Sequence, residues 1–348
     1  MSVRFGMVGT GAMAVAMLPA FRHAPGAELV AVSSSTDERA QAFAASHNIA
    51  KAYSGHEAML RDPIIDAIYV ANQTRDHADI SIAALRVGKH VLCEKPFAIT
   101  AEDGEKVIAA ARTSGKLFME GLWTHFLPAY RRACDLLRSG HVGAPVQLVA
   151  GYGYPTSPKL RPRLFDKDDG GVLLDIGVYP VSLALRLLGA VDDLDTDIKY
   201  NEDGIDTHMS LQMRHKNGAS SHLVASFDAL TANAASIACR EGRIGLPAPL
   251  FGAEDVVVDK FSPAGSSNNA SESTLKTALK QNPLLRRLKS ALASGGEHHP
   301  YGASQYLPQM LHFINLIASE KSESDIATHD LSLSVLRIID QMRASEKG

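Results

Sequence analysis

The sequence predicts a two-domain α/β protein, with a parallel sheet in the first domain and a large, mostly antiparallel sheet in the second. The chain has 348 residues, which is more than one hydrophobic core usually organises. From Val3 to about Phe118, short β-rich runs alternate with stretches of helical period, a pattern typical of strand–helix–strand units. After Gly121 the pattern changes to a helix followed by several strands. We therefore expect a first domain at 1–122 and a second at 123–348.

The first domain is expected to contain β-rich runs joined mainly by helices. Strands are predicted at 3–8, 28–32, 67–71, 90–93 and 116–119. A helix is predicted over 36–47, where Asp37 and Glu38 would stabilise the first turn. Another is predicted over 77–87, where Gly88 ends the helical pattern.

The second domain is expected to combine strands with a few helices. Helices are predicted at 128–139, 305–318 and 331–342. Strands are predicted at 146–152, 198–201, 209–213 and 223–228. Residues 255–301 interrupt this pattern, with a cluster of Ser, Asn and Gly at 262–273 and an amphipathic basic stretch at 275–292. We expect a surface insertion there, and a substrate lid is the alternative.

Composition and charge argue against several classes of partner. Hydrophobic residues make up 45% of the chain and charged residues 21%, which is ordinary for a globular protein. A formal net charge of −3 provides no field for binding nucleic acid or an anionic membrane, and no apolar run is long enough for a spanning helix. No signal peptide precedes the first strand, so we expect a cytoplasmic protein that binds a small molecule.

The metal-binding residue types lack the spacing of a metal site. Cys93, Cys134 and Cys239 are scattered along the chain and are expected to be reduced, mostly buried thiols. The pair His298 and His299 has no acid or third ligand at metal spacing, so it is expected to lie in a loop.

The first strand runs into a glycine-rich turn that predicts a dinucleotide site. A helical stretch follows this Gly-x-Gly-x-x-Ala turn, and a second strand begins about twenty residues later. Gly9 would allow the tight turn, Gly11 would let the backbone approach the diphosphate, and Ala14 would let the helix pack closely on the strand. Negative charge would then face the helix N-terminus. The residues predicted to bind the cofactor here are Gly9, Thr10, Gly11, Ala12 and Met13.

The second strand ends without the acidic residue that usually binds the ribose hydroxyls of NAD. The chain reads Ser33-Ser34-Ser35 there, and Arg39 follows one helical turn later. Hydroxyls and a guanidinium suit a 2′-phosphate, so NADP is the preferred cofactor. NAD is the alternative, with Asp37 facing the ribose.

Four segments carry a resemblance to a known family. They cover residues 62–67, 88–96, 120–124 and 170–179, and the second contains Glu94-Lys95-Pro96. Through them most of the chain resembles the glucose-fructose oxidoreductase, inositol dehydrogenase and MocA family, nearest the branch of dimeric dihydrodiol dehydrogenase and NADP-linked xylose dehydrogenase. The resemblance implies an N-terminal Rossmann domain, an NAD(P)-dependent oxidoreductase and a homo-oligomer, expected to be a dimer.

The resemblance also implies roles for individual residues. It places Glu94 and Lys95 beside the nicotinamide, followed by a proline, Pro96, that is often cis in the family. It places Asp175 and Tyr179 in the substrate pocket. Other members of the family carry His where this sequence has Tyr179, which narrows the branch.

Three residues after Leu122 are predicted to contact substrate. By resemblance Trp123 and Phe126 would wall the substrate site, whereas as large aromatics they could equally be core residues. His125 stands where the branch tends to have Arg, and Ser35 likewise replaces an expected Arg after the second strand.

Three polar residues follow the third strand, whose carboxyl end faces the cofactor crevice. They are Asn72, Gln73 and His77, and they are predicted to line the nicotinamide side. His77 could instead be a residue of a helix N-terminus with no further role.

The pair Lys95 and Tyr179 suits proton transfer. The pKa of a tyrosine is near 10, and a cation within a few ångströms would lower it towards neutrality. Lys95 is the candidate cation. Asp175 would share a helix face with Tyr179 and orient the substrate or Lys95, and capping of a helix is its alternative role. Pro180 would kink a helix that began as early as residue 172.

These residues predict reversible hydride transfer between NADP(H) and a sugar, polyol or cyclic diol. Two alternatives remain at this stage. One is an enzyme whose physiological direction is reduction of an osone or keto sugar. The other is a ligand-sensing regulator that binds dinucleotide without turnover, against which the presence of both Lys95 and Tyr179 argues.

Overall fold

Six parallel strands form the first sheet, in the order β3-β2-β1-β4-β5-β6. The computed structural model describes residues 2–261 and 295–345. The strands are β1 (Val3–Val8), β2 (Ala27–Ser34), β3 (Lys51–Ser54), β4 (Ala67–Val70), β5 (His90–Glu94) and β6 (Phe118–Gly121). This confirms the predicted parallel sheet. The sequence analysis missed only β3, because this short edge strand is half-buried and shows no continuous apolar run.

Helices cover the first sheet. They are α1 (Ala12–His23), α2 (Asp37–His47), α3 (Glu57–Leu60), α4 (Thr74–Arg86) and α5 (Ala101–Ser114). The predicted α2 and α4 are present, and α5 was not predicted. Its boundaries were readable, because Thr100 accepts a hydrogen bond from the Asp103 backbone N–H and Gly115 ends the helix at φ +65°.

Eight strands form the second sheet, in the order β14-β13-β12-β11-β7-β10-β9-β8. They are β7 (Pro145–Gly153), β8 (Val191–Tyr200), β9 (Asp206–His215), β10 (Ser220–Ser226), β11 (Ala235–Cys239), β12 (Gly242–Leu246), β13 (Asp255–Lys260) and β14 (Gly295–His298). Among the described strands of this second sheet, only β7 and β10 pair in parallel, so the predicted mostly antiparallel sheet is confirmed. The prediction found only the last residues of β8, because its outward-facing residues are exposed aspartates.

The two ends of the predicted insertion at 255–301 belong to this sheet. Strand β13 pairs antiparallel with β14, with Asp255 opposite His298. The prediction of a loop was therefore wrong for these residues, including His298. The Ser, Asn and Gly cluster at 262–273 and the basic stretch at 275–292 lie outside the described residues.

The remaining helices join the two sheets. They are α6 (Pro128–Arg138), α7 (Val178–Leu188), α8 (Leu307–Ala318) and α9 (His329–Ser345). The last two pack back on the first sheet: Phe313 of α8 lies 5.9 Å from Phe5 between ring centres, and His329 Nε2 lies 3.1 Å from the Phe118 carbonyl oxygen. Residues of the second half thus complete the core of the first.

Within residues 2–261 and 295–345, no helix is long and apolar enough to cross a membrane. Over the same residues there is no group of three or more His, Cys, Asp and Glu side chains that could hold a metal ion. The polar cluster that the fold does assemble lies where the carboxyl ends of β4 and β5 meet the segment before α7.

Candidate active site

The glycine-rich turn after β1 has the geometry of an open anion site. Gly9 has φ +108°, and a Cβ there would lie 2.6 Å from the Ala71 carbonyl oxygen, so only glycine fits. A Cβ on Gly11 would meet open space. Helix α1 begins next, without a side-chain cap or an acidic residue in its first turn. Its first N–H groups, at Ala12 and Met13, are therefore left for a ligand.

The serines that end β2 are less open than the sequence implied. Ser33 is 1% exposed, and its hydroxyl has no hydrogen-bond partner among the described residues, so it is not open to a ligand as arranged. Ser34 is buried, and its Oγ lies 3.2 Å from Thr10 Oγ1 of the glycine-rich turn. Ser35 and Arg39, which follow β2 in the chain, are exposed. Ser35 and Arg39 are thus the accessible members of the predicted phosphate-binding set.

Asp37, the alternative ribose ligand, accepts a hydrogen bond of 2.7 Å from Gln41 on the outer side of α2. Thr36 caps the same helix by accepting the backbone N–H of Arg39. The first turn of α2 therefore occupies Asp37 and leaves the guanidinium of Arg39 without an ion pair among the described side chains.

The residues after β4 contact one another and the loop after β5. Asn72 Nδ2 donates to Asp76 over 3.0 Å, and Gln73 Oε1 accepts from Arg75 over 2.8 Å. His77 is buried, and its Nδ1 lies 2.8 Å from the Pro96 carbonyl oxygen. Burial lowers the pKa of His77 to about 4, so the ring is neutral and donates from Nδ1.

Lys95, Asp175 and Tyr179 meet at the end of β5. The Lys95 ammonium donates to Asp175 Oδ1 over 3.1 Å and also to the Asp175 carbonyl oxygen. Its Nζ lies 5.0 Å from the centre of the Tyr179 ring. The Tyr179 hydroxyl accepts a hydrogen bond of 3.0 Å from Trp123 Nε1. Two distant segments of the chain therefore supply one cation, one carboxylate and one phenol to the same place.

The charges around Lys95 keep it protonated. Burial by itself would lower the pKa of Lys95, but the carboxylates of Asp175 and Glu94 outweigh burial and raise it above its ordinary value. The Lys95–Pro96 bond is cis, as the resemblance implied.

The expectation that Lys95 lowers the pKa of Tyr179 towards neutrality is wrong when only the protein's own groups are considered. Burial raises the pKa of Tyr179 well above 10, and the negative charge of Glu94 raises it further. The Trp123 N–H acts in the opposite direction but does not offset burial. The physical reason is geometric: the ammonium faces the Tyr179 ring and is engaged by Asp175, rather than lying at the hydroxyl. Tyr179 is thus a protonated phenol.

Two buried carboxyls flank this cluster from opposite faces of the first sheet. Glu94 Oε1 accepts a hydrogen bond of 2.7 Å from Tyr69, and burial raises the pKa of Glu94. Glu120 was not predicted as a site residue. Its Oε1 accepts the Phe97 backbone N–H over 3.2 Å, and burial raises its pKa to about 7.

Asp175 lies in a single π-helical turn, Leu173–Gly177, that precedes α7. Its carboxylate contacts Lys95 and Tyr154 and makes no capping bond, so the capping alternative is wrong. Asp206 performs that role instead, because its Oδ2 accepts the Leu173 backbone N–H over 2.7 Å. The change from π to α geometry places Pro180 in the first turn of α7, where proline is tolerated.

Aromatic rings surround the cluster. Trp123 packs edge-on against Tyr179 and Tyr306, and Tyr152 stacks on Phe251 with ring centres 4.9 Å apart. Tyr154 OH donates to Asp175 Oδ2 over 3.3 Å. Sequence analysis assigned no role to Tyr152 and Tyr154. Their signal was present, because they fall at the carboxyl end of a predicted strand, as Asn72 and Lys95 do.

Two residues predicted to contact substrate lie behind the site. His125 is 1% exposed, and its Nε2 lies 2.9 Å from Ser182 Oγ, which donates in turn to the Tyr179 carbonyl oxygen. Burial lowers the pKa of His125 to about 3. Phe126 is buried against His312 of α8. His125 and Phe126 therefore pack behind Trp123 and Tyr179. In this geometry neither side chain is placed to contact a substrate directly.

Comparison of the sequence with known proteins identifies the family of the chain. Residues 3–122 match the oxidoreductase family with an NAD-binding Rossmann fold, and residues 130–245 match the GFO/IDH/MocA C-terminal domain. Trans-1,2-dihydrobenzene-1,2-diol dehydrogenase of Xenopus tropicalis is 31% identical over 268 residues, covering 74% of this chain and 79% of the relative. The chain belongs to the GFO/IDH/MocA family. Trans-1,2-dihydrobenzene-1,2-diol dehydrogenase of Mus musculus is 28% identical to this chain over 319 residues, covering 84% of this chain and 94% of the relative.

Solved structures share this GFO/IDH/MocA fold over the whole chain. KijD10, a 3-ketoreductase from Actinomadura kijaniata solved with NADP and TDP-benzene, has a TM-score of 0.79 at 24% identity, covering 99% of this chain and 98% of that one. Aldose-aldose oxidoreductase from Caulobacter crescentus, solved with glycerol, has a TM-score of 0.82 at 21% identity, covering 100% and 98%. These structures show that the fold is shared, and the two family matches make the chain a member of an NAD(P)-dependent oxidoreductase family with both characteristic domains.

Proposed function

We propose that this protein transfers a hydride reversibly between NADP(H) and a secondary alcohol or carbonyl of a sugar, polyol or cyclic diol. The observation that carries the proposal is the meeting of Lys95 with Asp175 and Tyr179, at 3.1 Å from the Asp175 carboxylate and 5.0 Å from the Tyr179 ring centre. An ammonium, a carboxylate and a phenol at the crevice of a dinucleotide fold are the groups that such a reaction needs.

The glycine-rich turn and α1 are the proposed diphosphate site. The uncapped helix N-terminus, the open space at Gly11 and the tight turn at Gly9 fit this group. Ser35 and Arg39 are proposed to bind the 2′-phosphate of NADP, because they are the accessible polar groups at the end of β2. The bound nicotinamide supplies the hydride acceptor or donor.

Glu94, Asn72, Gln73 and His77 are proposed to border the nicotinamide. In this role His77 supports the loop after β5, because its neutral ring donates from Nδ1 to the Pro96 carbonyl oxygen. Glu94 supplies a buried negative charge beside Lys95.

Tyr179 is proposed to exchange the proton with the substrate oxygen. During reduction the hydride that the reduced nicotinamide gives up would form the new C–H bond, and the O–H bond of Tyr179 would break to give its proton to the carbonyl oxygen. The raised pKa of Tyr179 keeps that proton in place at neutral pH, which favours the reductive direction. Lys95 stabilises the negative charge that develops on oxygen, and Asp175 holds Lys95 in position.

The aromatic rings are proposed to select the substrate. Trp123, Tyr152 and Phe251 present flat apolar surfaces next to the polar cluster. The apolar face of a sugar or carbocyclic ring can stack on such surfaces while its hydroxyls reach Asp175 and Tyr154.

The two halves of the chain are proposed to divide the work. Residues 1–122 bind the cofactor, and residues 123–348 bind the substrate and form the contacts of a homodimer. Helices α8 and α9 are exceptions within this division, since they pack on the first sheet.

Purified protein incubated with NADP and a panel of sugars, polyols and cyclic diols tests the proposal, with the matching ketones and NADPH in parallel. The expected result is a change in the absorbance band of the reduced nicotinamide with at least one pair. Tight NADPH binding without turnover of any compound in either direction would contradict it and would favour a dinucleotide-sensing protein.

A further inference from the structure

Arg75 of α4 contacts three aspartates of the second half of the chain. Its guanidinium lies 2.7 Å from Asp168, 3.2 Å from Asp166 and 3.7 Å from Asp169, measured to the carboxylate oxygens. Its backbone N–H also donates to Asp169 over 3.2 Å. We call these three aspartates the acidic turn. This contact joins the first sheet's helices to the segment that leads into the π-helical turn.

The position of Arg75 is unfavourable for the helix taken alone. A cation in the first turn of a helix meets the positive end of the helix dipole. The N-cap residue Gln73 makes no capping bond with its side chain. The first turn of α4 has one acidic side chain of its own, Asp76, which accepts a hydrogen bond from Asn72. Asp169, whose side chain is 2% exposed, adds a buried negative charge from the other half of the chain and also lies 3.8 Å from Arg163. The first turn of α4 therefore takes part of its balancing charge from the acidic turn.

The acidic turn determines where Asp175 lies. A Cβ on Gly170 would lie 2.5 Å from the Asp166 carbonyl oxygen, so the chain folds back tightly on itself. Gly171 follows at φ +97°, and its carbonyl oxygen accepts the Asp175 backbone N–H over 3.2 Å. Through these contacts the position of Asp166 fixes the start of the turn that carries Asp175.

The same turn of α4 also fixes the other partner of the ion pair. His77 lies two residues after Arg75 and bonds the carbonyl oxygen of Pro96, the residue after Lys95. Arg75 therefore contacts the segment that leads to Asp175, and His77 contacts the residue that follows Lys95. One helical turn brings both partners to their separation of 3.1 Å.

We propose that Arg75 is a positioning residue for the Lys95–Asp175 pair, acting through the acidic turn. This inference rests on the proposed function only for its effect on turnover. Its structural part, that loss of the guanidinium releases Lys95 from Asp175, is testable without any substrate.

The test uses the full-length variants Arg75→Ala and Arg75→Lys, with Arg86→Ala as the matched control. Arg86 is an exposed arginine at the opposite end of the same helix. The first readout is the rate at which acetic anhydride acetylates Lys95 in the cofactor-free protein, followed by mass spectrometry and normalised to exposed Lys106. The second readout is kcat and KM for the alcohol or ketone, together with the NADPH dissociation constant from fluorescence.

We expect Lys95 of Arg75→Ala to be acetylated several-fold faster than in the wild type, with Arg86→Ala unchanged. We expect kcat to fall by about 10- to 100-fold, as for a small displacement of catalytic groups, and NADPH affinity to stay within about twofold. Arg75→Lys should recover part of both effects, because it restores the charge without the planar guanidinium.

Acetylation of Lys95 at the wild-type rate in Arg75→Ala would overturn the inference, whatever the change in kcat. If Arg75→Ala does not fold, Asp168→Asn removes only the most exposed arm of the contact and should shift both readouts in the same direction to a smaller extent. If the wild type turns over no substrate, the proposed function fails, whereas the acetylation result still decides the role of Arg75.

Discussion

Trp123 donates its indole N–H to the hydroxyl of Tyr179 over 3.0 Å, so the phenol oxygen is held by a neutral donor, and the Lys95 ammonium faces the ring. This arrangement makes Trp123 an active part of the site. Its N–H stabilises negative charge on the Tyr179 oxygen, which burial otherwise opposes.

Trp123→Phe keeps an aromatic ring against Tyr306 but removes the N–H. Without that donor the Tyr179 phenolate is less stable, so we expect oxidation of the alcohol to slow by about tenfold, the cost of one hydrogen bond to a charged group. The kcat/KM for reduction should fall by a similar factor, because a substitution in the enzyme leaves the equilibrium constant of the reaction unchanged. Steady-state kinetics in both directions check this, and a wild-type kcat/KM for oxidation in the variant would contradict it.

The two directions should differ in pH dependence. The pKa of Tyr179 is raised by burial, so its acid form is present below that pKa and is lost only as the pH rises through it. Reduction needs the acid form and should stay level from about pH 6 to about pH 9, well below the titration of a raised tyrosine. Oxidation needs the base form and should rise over the same range.

Profiles of kcat/KM measured in both directions at constant ionic strength check the pH prediction. A reductive rate that falls with a midpoint near neutral pH would show that the proton donor is not Tyr179. Glu120, whose pKa is raised to about 7, would then be the first candidate for the titrating group.

Lys95→Met should remove turnover without removing the cofactor. The substitution leaves the Asp175 carboxylate without its cation and the developing oxyanion without stabilisation, so we expect kcat to fall by about 100- to 10,000-fold. The NADPH dissociation constant from fluorescence should change far less. A variant that retains wild-type kcat would show that Lys95 is only structural.

Arg39→Ala tests the choice of cofactor. Arg39 is exposed beside Ser35, and its loss should weaken NADPH binding by about tenfold while leaving NADH binding unchanged, because only NADPH carries the 2′-phosphate. Arg22→Ala, an exposed arginine in the last turn of α1, is the matched control. Equal weakening for both dinucleotides would place Arg39 outside the phosphate site.

The sequence predicted five of the six strands of the first sheet and the place of the glycine-rich turn. The Gly9 turn and the strand before Lys95 show strong local patterns, since buried parallel strands are apolar throughout. The carboxyl ends of such strands share one edge of the sheet, which is why Lys95 could be placed near the cofactor turn. The link from Lys95 to Asp175 and Tyr179 came from the family resemblance.

The features of the site that were not predicted from the sequence depend on tertiary packing. Ser33 is buried, and His125 bonds Ser182, which in turn bonds the Tyr179 carbonyl oxygen; neither feature is encoded in local spacing. The raised pKa of Tyr179 depends on burial by distant residues. The contacts of Arg75 could not be predicted from the sequence, because its partners lie 91 to 94 positions away in the chain, in a segment without helical or strand period.

The central claim is that Tyr179 of the second half serves the same redox centre as Lys95 of the first. Single-turnover transfer of deuteride from labelled NADPH to a ketone substrate, in wild type and in Tyr179→Phe, tests it most directly. We expect the variant to bind NADPH normally and to transfer deuteride about 100- to 10,000-fold more slowly. Transfer at the wild-type rate would contradict the account.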